Sequence, residues 1–180
     1  MNWVHAYHVL RQWEQKGRYV FTRQDLSKLF NKDKAKAFTE GLNRLVKDGL
    51  LVRACRSVFV NPHAHCFDGY VLERVAAAMR RGEYSYISLE SMLSEYGIIS
   101  QIPLDRLTVM TTGRKGTYQT RYGVIEFTHT SRSVPDIIRN TRRVQGRPLL
   151  LATREAAWRD LKRVGRNTQM VNTSELHDYQ

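Results

Sequence analysis

Residues 33–60 read DKAKAFTEGLNRLVKDGLLVRACRSVFV, and the change of periodicity inside this stretch decides the fold of the N-terminal part. Phe38, Gly41, Leu42, Leu45 and Val46 recur at helical spacing, Asp33 stands where an N-cap belongs, and Gly49 where a helix closes. The pattern then turns to strands. Leu50 to Ala54 predicts one strand, Cys55-Arg56 a short turn, and Ser57 to Val60 a second strand stopped by Asn61-Pro62.

Upstream, Thr22-Arg-Gln-Asp25 has the layout of a capping box, in which hydroxyl and carboxylate satisfy each other's backbone N–H. The short helix it opens buries Leu26, Leu29 and Phe30 and breaks at Asn31-Lys32. Trp3, Tyr7, Leu10 and Trp13 predict a first helix that buries an aromatic stripe and ends at Gly17. Three helices, the last two joined by a tight turn and followed by a hairpin, predict a winged helix-turn-helix over residues 1–62.

On the third helix the side opposite the apolar positions carries Lys36, Glu40, Asn43 and Lys47, with Thr39 and Arg44 beside them. Cations neutralise phosphates, and amide or hydroxyl groups read base edges, so this mixture suits a DNA-contacting helix. Asn43 is the candidate base contact, Lys47 the candidate backbone contact, and Arg56 at the wing tip a candidate for phosphate or the minor groove. A winged helix also serves as a protein-binding module whose polar face is merely solvated. The surplus of cations favours DNA.

The formal net charge of +12 is unevenly placed. Residues 1–62 hold twelve Lys/Arg against five Asp/Glu, residues 63–105 three against six, and residues 106–166 fourteen against four. Two basic regions therefore flank an acidic middle, which suits polyanions or acidic partners, or equally a solvated surface. No apolar run has bilayer-spanning length and the N-terminus lacks a signal-peptide layout, so a cytoplasmic protein is expected. With only Cys55 and Cys66, no disulfide framework is expected.

Beyond the wing, residues 67–180 predict a larger mixed α/β domain, making the chain α+β overall. Val71, Leu72, Val75, Ala78 and Met79 mark a connecting helix, and Ser88 to Gly97 a capped one. Ile102-Pro103 turns the chain. Leu107–Thr112 and Tyr122–Thr130 predict strands separated by a basic hairpin or loop, Gly113-Arg114-Lys115-Gly116. Leu149 to Ala152 predicts a buried strand, Thr153 caps a last helix with Ala156, Ala157, Leu161 and Val164, and a polar tail begins after about residue 166.

Several motifs here occur in a recognisable order: Tyr86-Ile-Ser-Leu-x-Ser-x-Leu-x-x-Tyr-Gly97, Gln101-Ile-Pro103, Val109-x-Thr-Thr112 and Tyr122-Gly-x-Ile-x-Phe127, preceded by Gly49-Leu-Leu-Val-Arg53. With these the chain resembles the AbiEi-type antitoxins. Arg154 departs from the family pattern, which has Pro there. The resemblance implies an antitoxin of phage-defence toxin–antitoxin systems that represses its own promoter at inverted repeats and opposes a nucleotidyltransferase-like toxin. Arg114, Lys115, Arg121, Arg139, Arg142, Arg143 and Arg147 are the candidate partner-binding residues, on grounds of charge. The alternative is a stand-alone nucleic-acid-binding regulator without a toxin. Self-association on DNA stays open.

No enzyme signature emerges. His63-Ala64-His65-Cys66 falls short of the four regularly spaced ligands of a structural zinc site. Ser85, Ser88 and Ser91 lack a nucleophile elbow, and Gly113–Gly116 lacks P-loop spacing. No catalytic residues, metal or cofactor are expected.

Overall fold

The computed structural model describes residues 2–99 and 105–172, which form two compact units, Met1–Met79 and Arg80–Gln180. The expected turn at Ile102-Pro103, the Gln101-Ile-Pro103 motif and the tail beyond 172 lie outside the described residues.

The first unit runs α1 (Trp3–Glu14), β1 (Val20–Thr22), α2 (Arg23–Leu29), α3 (Ala35–Lys47), β2 (Val52–Cys55), β3 (Val58–Val60) and α4 (Val71–Met79). Its three strands pair antiparallel in the order β1-β3-β2, so the hairpin of the wing is extended by the short strand between the first two helices. Ala6, Leu10, Leu26, Phe30, Phe38, Leu42 and Leu45 from the helices close over Phe21, Leu50, Leu51 and Phe59. The Thr22–Asp25 capping box forms as its spacing predicts, with Asp25 N–H donating to Thr22 Oγ1 and Thr22 N–H to Asp25 Oδ2.

Three local expectations change. On α1 the buried residues are Ala6 and Leu10, with Val9 and Trp13 packed beside them, whereas Trp3 is 47% and Tyr7 39% exposed and the two rings stack on each other. The core takes in Ala6 and Leu10 with Trp13 packed beside them, and the stacked Trp3 and Tyr7 rings stay at the surface. Lys34, not Asp33, occupies the N-cap of α3, without a side-chain cap bond. The wing turn is Arg56-Ser57 rather than Cys55-Arg56, because Ser57 takes the left-handed φ of 69° that lets Cys55 pair with Val58.

The helix read as a connector is an integral part of the first unit, since α4 packs on β1 and β3. Asp68, just ahead of it, accepts from the Tyr19 hydroxyl at 2.6 Å and from Arg74 Nη2 at 2.6 Å, while the Arg74 guanidinium lies over the Tyr19 ring. Burial and the neighbouring Asp68 together push the Tyr19 phenol far above its ordinary value, so it stays a donor.

The second unit contains β4 (Ser85–Ile87), α5 (Leu89–Glu95), β5 (Arg106–Thr111), β6 (Gly116–Thr120), β7 (Gly123–His129), α6 (Val134–Arg139), β8 (Thr141–Arg142), β9 (Leu150–Ala152), α7 (Arg154–Val164) and a 3-10 turn at Thr168–Met170. Its sheet has the order β6-β7-β5-β4-β9-β8, with β5/β7 and β4/β9 parallel and the other pairs antiparallel. The mixed α/β expectation holds. The pairing within 107–130 differs, however, because Gly113–Lys115 is a loop leading into β6, which begins at Gly116 and which the periodicity reading did not separate. That strand forms the hairpin with β7 and frees β7 to run parallel to β5.

Thr153 caps α7 by accepting from Ala156 N–H, and Gly165 closes it in the left-handed conformation at φ 72°. Ser88 sits at the N-cap of α5 but makes no cap bond. Its hydroxyl instead donates to Asp160 Oδ2 at 2.8 Å. The direct passage from β4 into α5 is made by fully buried Leu89 at φ 58°, a conformation that costs about 1–2 kcal/mol for a side chain with a Cβ.

Residues 166–172 are not a free polar tail. Arg166 Nε donates to Glu90 Oε1 at 2.9 Å and its Nη1 pairs with Glu126, Asn167 Nδ2 donates to Glu90 at 2.9 Å, and Asn172 N–H bonds Ile98 O at 3.1 Å. Burial pushes the Glu90 carboxyl up, but the bonds from Arg166 and Asn167 outweigh it and leave the group below the usual carboxylate range. A group depressed in the folded state adds stability above its unfolded value, and loses it as pH falls through the folded one. Acid unfolding of the second unit, followed by thermal melts below about pH 4.5, is therefore expected to flatten in Glu90→Gln. An unchanged pH slope would contradict this role.

Candidate nucleic-acid interface

The position of α3 follows from its apolar spacing: Phe38, Gly41, Leu42 and Leu45 are buried, and Gly49, at φ 77°, closes the helix and directs the chain into the hairpin. The buried side of α3 therefore dictates which residues remain outside. Lys36, Glu40, Asn43 and Lys47 are all exposed and, at spacings of four, three and four, lie along one stripe, with exposed Arg44 beside it. Arg56 is exposed at the wing turn.

Thr39 has a different local role from its exposed neighbours. Its hydroxyl donates to Ala35 O at 2.9 Å and accepts from Arg23 Nη2 at 2.7 Å. The Arg23 guanidinium also lies over the Phe38 ring, at 5.3 Å from the centroid. Because the Arg23 backbone N–H bonds Ser57 O at 2.8 Å, one residue at the start of α2 ties α3 and the wing turn together. The sequence reading missed Arg23, since its helix position alone does not reveal a partner sixteen residues away. Arg53, whose guanidinium lies 5.3 Å from the Phe59 ring centroid, adds an exposed cation to the wing.

The cations assigned to partner binding do not form one patch. Arg114 and Lys115 precede β6 and Arg121 lies in the β6–β7 turn, all exposed at one end of the sheet. Arg139, Arg142 and Arg143 lie at the opposite end, beside or within β8, and five strand spacings of about 4.8 Å separate these edges by roughly 24 Å. Arg142 lies over the Tyr96 ring, and Arg139 Nε donates to Pro135 O. Arg147 is paired with Glu95 and its side chain is only 10% exposed.

The His63–Cys66 stretch is dispersed. The His63 ring meets Gly49 O at 3.2 Å and His65 lies beside Glu14, while burial pushes the Cys55 and Cys66 thiols up. No group of three or more His, Cys, Asp or Glu placed to hold a metal occurs among the described residues. Among those residues, no helix is long and apolar enough to cross a membrane.

Residues 8–62 match the family model described as "Transcriptional regulator, AbiEi antitoxin". The match runs from within α1 to just past β3 and takes in Gly49–Arg53, while the motifs after residue 85 lie outside it. The crystal structure of the RV2827C protein from Mycobacterium tuberculosis has a similar fold, with a TM-score of 0.60 and 16% identity. That similarity covers 86% of this chain and 59% of the other, so this chain spans well under two thirds of its structural neighbour. No curated protein matches.

Proposed function

We propose that this protein is an antitoxin and transcriptional autorepressor: α3 and the wing bind inverted repeats in promoter DNA, and the second unit opposes a nucleotidyltransferase-like toxin. The observation carrying the first half is the exposed Lys36–Asn43–Lys47 stripe, lying within the residues that match a regulator family. Arg56 on the wing supplies a second approach to the duplex, and Thr39 with Arg23 sets the orientation of α3. The matched family's description supports the antitoxin half. The reading makes the chain a non-enzymatic, cytoplasmic component of phage defence, without a cofactor.

Base contacts specify and phosphate contacts position, so two substitutions on one helix face are expected to separate. Asn43→Ala relaxes sequence preference, costing about 1–3 kcal/mol of discrimination at one base pair. Lys47→Ala weakens binding to operator and unrelated duplexes alike and lowers the salt slope by about 0.9. Titrations of the full chain against a panel of promoter variants measure both. Equal effects of the two substitutions on specificity would reject these roles. Co-expression with the product of an adjacent nucleotidyltransferase-like gene tests the antitoxin half, and growth arrest despite the full chain would remove it.

A second reading, a regulator with no toxin partner, draws on the separation of the second unit's cations between two sheet ends. Such a division suits contacts flanking an operator as well as it suits a protein surface. Protection in the co-expression assay decides between the readings.

A further inference from the structure

Among the described residues β6 lies at an open edge of its sheet, and it is built unlike the edge strands β8 and β2. β8, at the opposite end of the same sheet, is two residues long, and β2 carries a register irregularity between Arg53 and Cys55. Short edges and bulges are among the devices that prevent strand addition. β6 is five residues long, Gly116-Thr-Tyr-Gln-Thr120, contains no charge or proline, and pairs with β7 in unbroken register.

Its outward hydrogen-bonding groups can be identified. Val124 N–H donates to Asp105 O at 2.7 Å, on the side away from β6. Val124 is the register partner of Gln119, so this is a non-hydrogen-bonded pair, in which both residues' backbone groups point away from each other. By alternation the N–H and C=O of Thr117 and Gln119 face the open edge. Both residues are exposed.

The two ends of this edge are basic. Arg114 and Lys115 lead into it and Arg121 follows it, all three exposed. The leading loop is held in place: Arg80 Nη2 donates to Arg114 O at 2.7 Å and the His129 ring meets Gly113 O at 2.9 Å. Glu126, opposite Thr117 in the register, has its charge already matched by Arg106 and Arg166. A second copy is a poor occupant, because antiparallel pairing of two β6 edges sets Arg121 of one against Arg114 and Lys115 of the other. Parallel pairing again sets like against like.

We propose that the β6 edge is a docking site for an extended acidic segment of a partner protein, which adds to the sheet as a seventh strand. Main-chain bonds to Thr117 and Gln119 hold the strand, and its flanking carboxylates meet Arg114, Lys115 and Arg121. The proposal deepens the reading of the second unit as partner-binding and rests on it.

The test uses the full chain and a synthetic peptide with a five-residue Val/Thr alternation flanked at each end by Glu and Asp. Peptide binding is expected to slow amide exchange at Thr117 and Gln119 by at least about tenfold. Gln119→Pro removes one outward donor and leaves the β6–β7 ladder intact, since proline is accepted at such edge positions. It is expected to weaken the peptide by at least about tenfold, as is Arg121→Glu. Retained exchange protection across β7 certifies that Gln119→Pro is folded; if it is not, Arg121→Glu decides. Binding within about twofold of the parent in both variants would overturn the proposal. So would protection of the same amides by a double-stranded oligonucleotide in preference to the peptide, or by rising protein concentration alone. A chain that protects cells but ignores the peptide overturns the edge site and leaves the antitoxin reading standing.

Discussion

Asp160→Ala is expected to cost the second unit about 3–5 kcal/mol, the range for breaking one side of a buried ion pair. Asp160 is 1% exposed and accepts from Ser88 Oγ at 2.8 Å, Tyr86 Oη at 3.1 Å and Arg132 Nη2 at 2.9 Å. Its removal leaves the largely buried Arg132 guanidinium only the more exposed Asp136 as an ion-pair partner and takes the acceptor from two buried hydroxyls, and the loss of the buried half of that charge pairing is the most expensive of these. In the parent chain, burial first and the adjacent carboxylate second hold the Tyr86 phenol far above its ordinary value, so Tyr86 is the donor to Asp160. Ser88→Ala removes one hydroxyl and is expected to cost only about 1 kcal/mol. Urea unfolding of the full chain, with separate probes for each unit, measures both. A loss below about 1 kcal/mol in Asp160→Ala would show that water replaces the carboxylate and that the cluster does not hold the sheet to α7.

Simultaneous replacement of Lys36, Arg44 and Lys47 by Ala is expected to lower affinity for promoter DNA by roughly 10²–10³-fold at about 0.1 M salt. Each phosphate contact releases about 0.9 counterion, so the slope of log affinity against log salt falls by about 2.7. The three side chains are exposed on α3, so the fold is expected to stay intact, and thermal melting provides the control. A normal salt slope in the triple variant would remove α3 from the interface and shift attention to the cations of the wing. Loss of affinity together with loss of the melting transition would instead assign these residues to stability.

The local signals proved strongest where side chain and backbone interact within a few residues. The Thr22–Asp25 box, the Thr153 cap, the helical seam of Phe38, Leu42 and Leu45, and the strand pair of the wing were all legible from residue type and spacing. The same seam left Lys36, Asn43 and Lys47 on the outside, so the exposed stripe was legible too. Arg23 was not, because its bonds to Thr39 and to the wing depend on how α2 and α3 cross.

The sequence by itself thus determined the first three helices and the wing hairpin up to Val60, though not β1, together with the outward face of α3 and the excess of cations, all consequences of periodicity and composition. Only the tertiary structure decided what those cations meet. It put Arg147 on Glu95 and Arg166 between Glu90 and Glu126, and it parted Arg114, Lys115 and Arg121 from Arg139, Arg142 and Arg143. It also drew Ser88 away from the helix end it was expected to cap and onto Asp160, seventy-two residues along the chain. Strand order and long-range charge pairing have no period in one dimension. They are settled when the sheet assembles and each buried charge must find a partner in space.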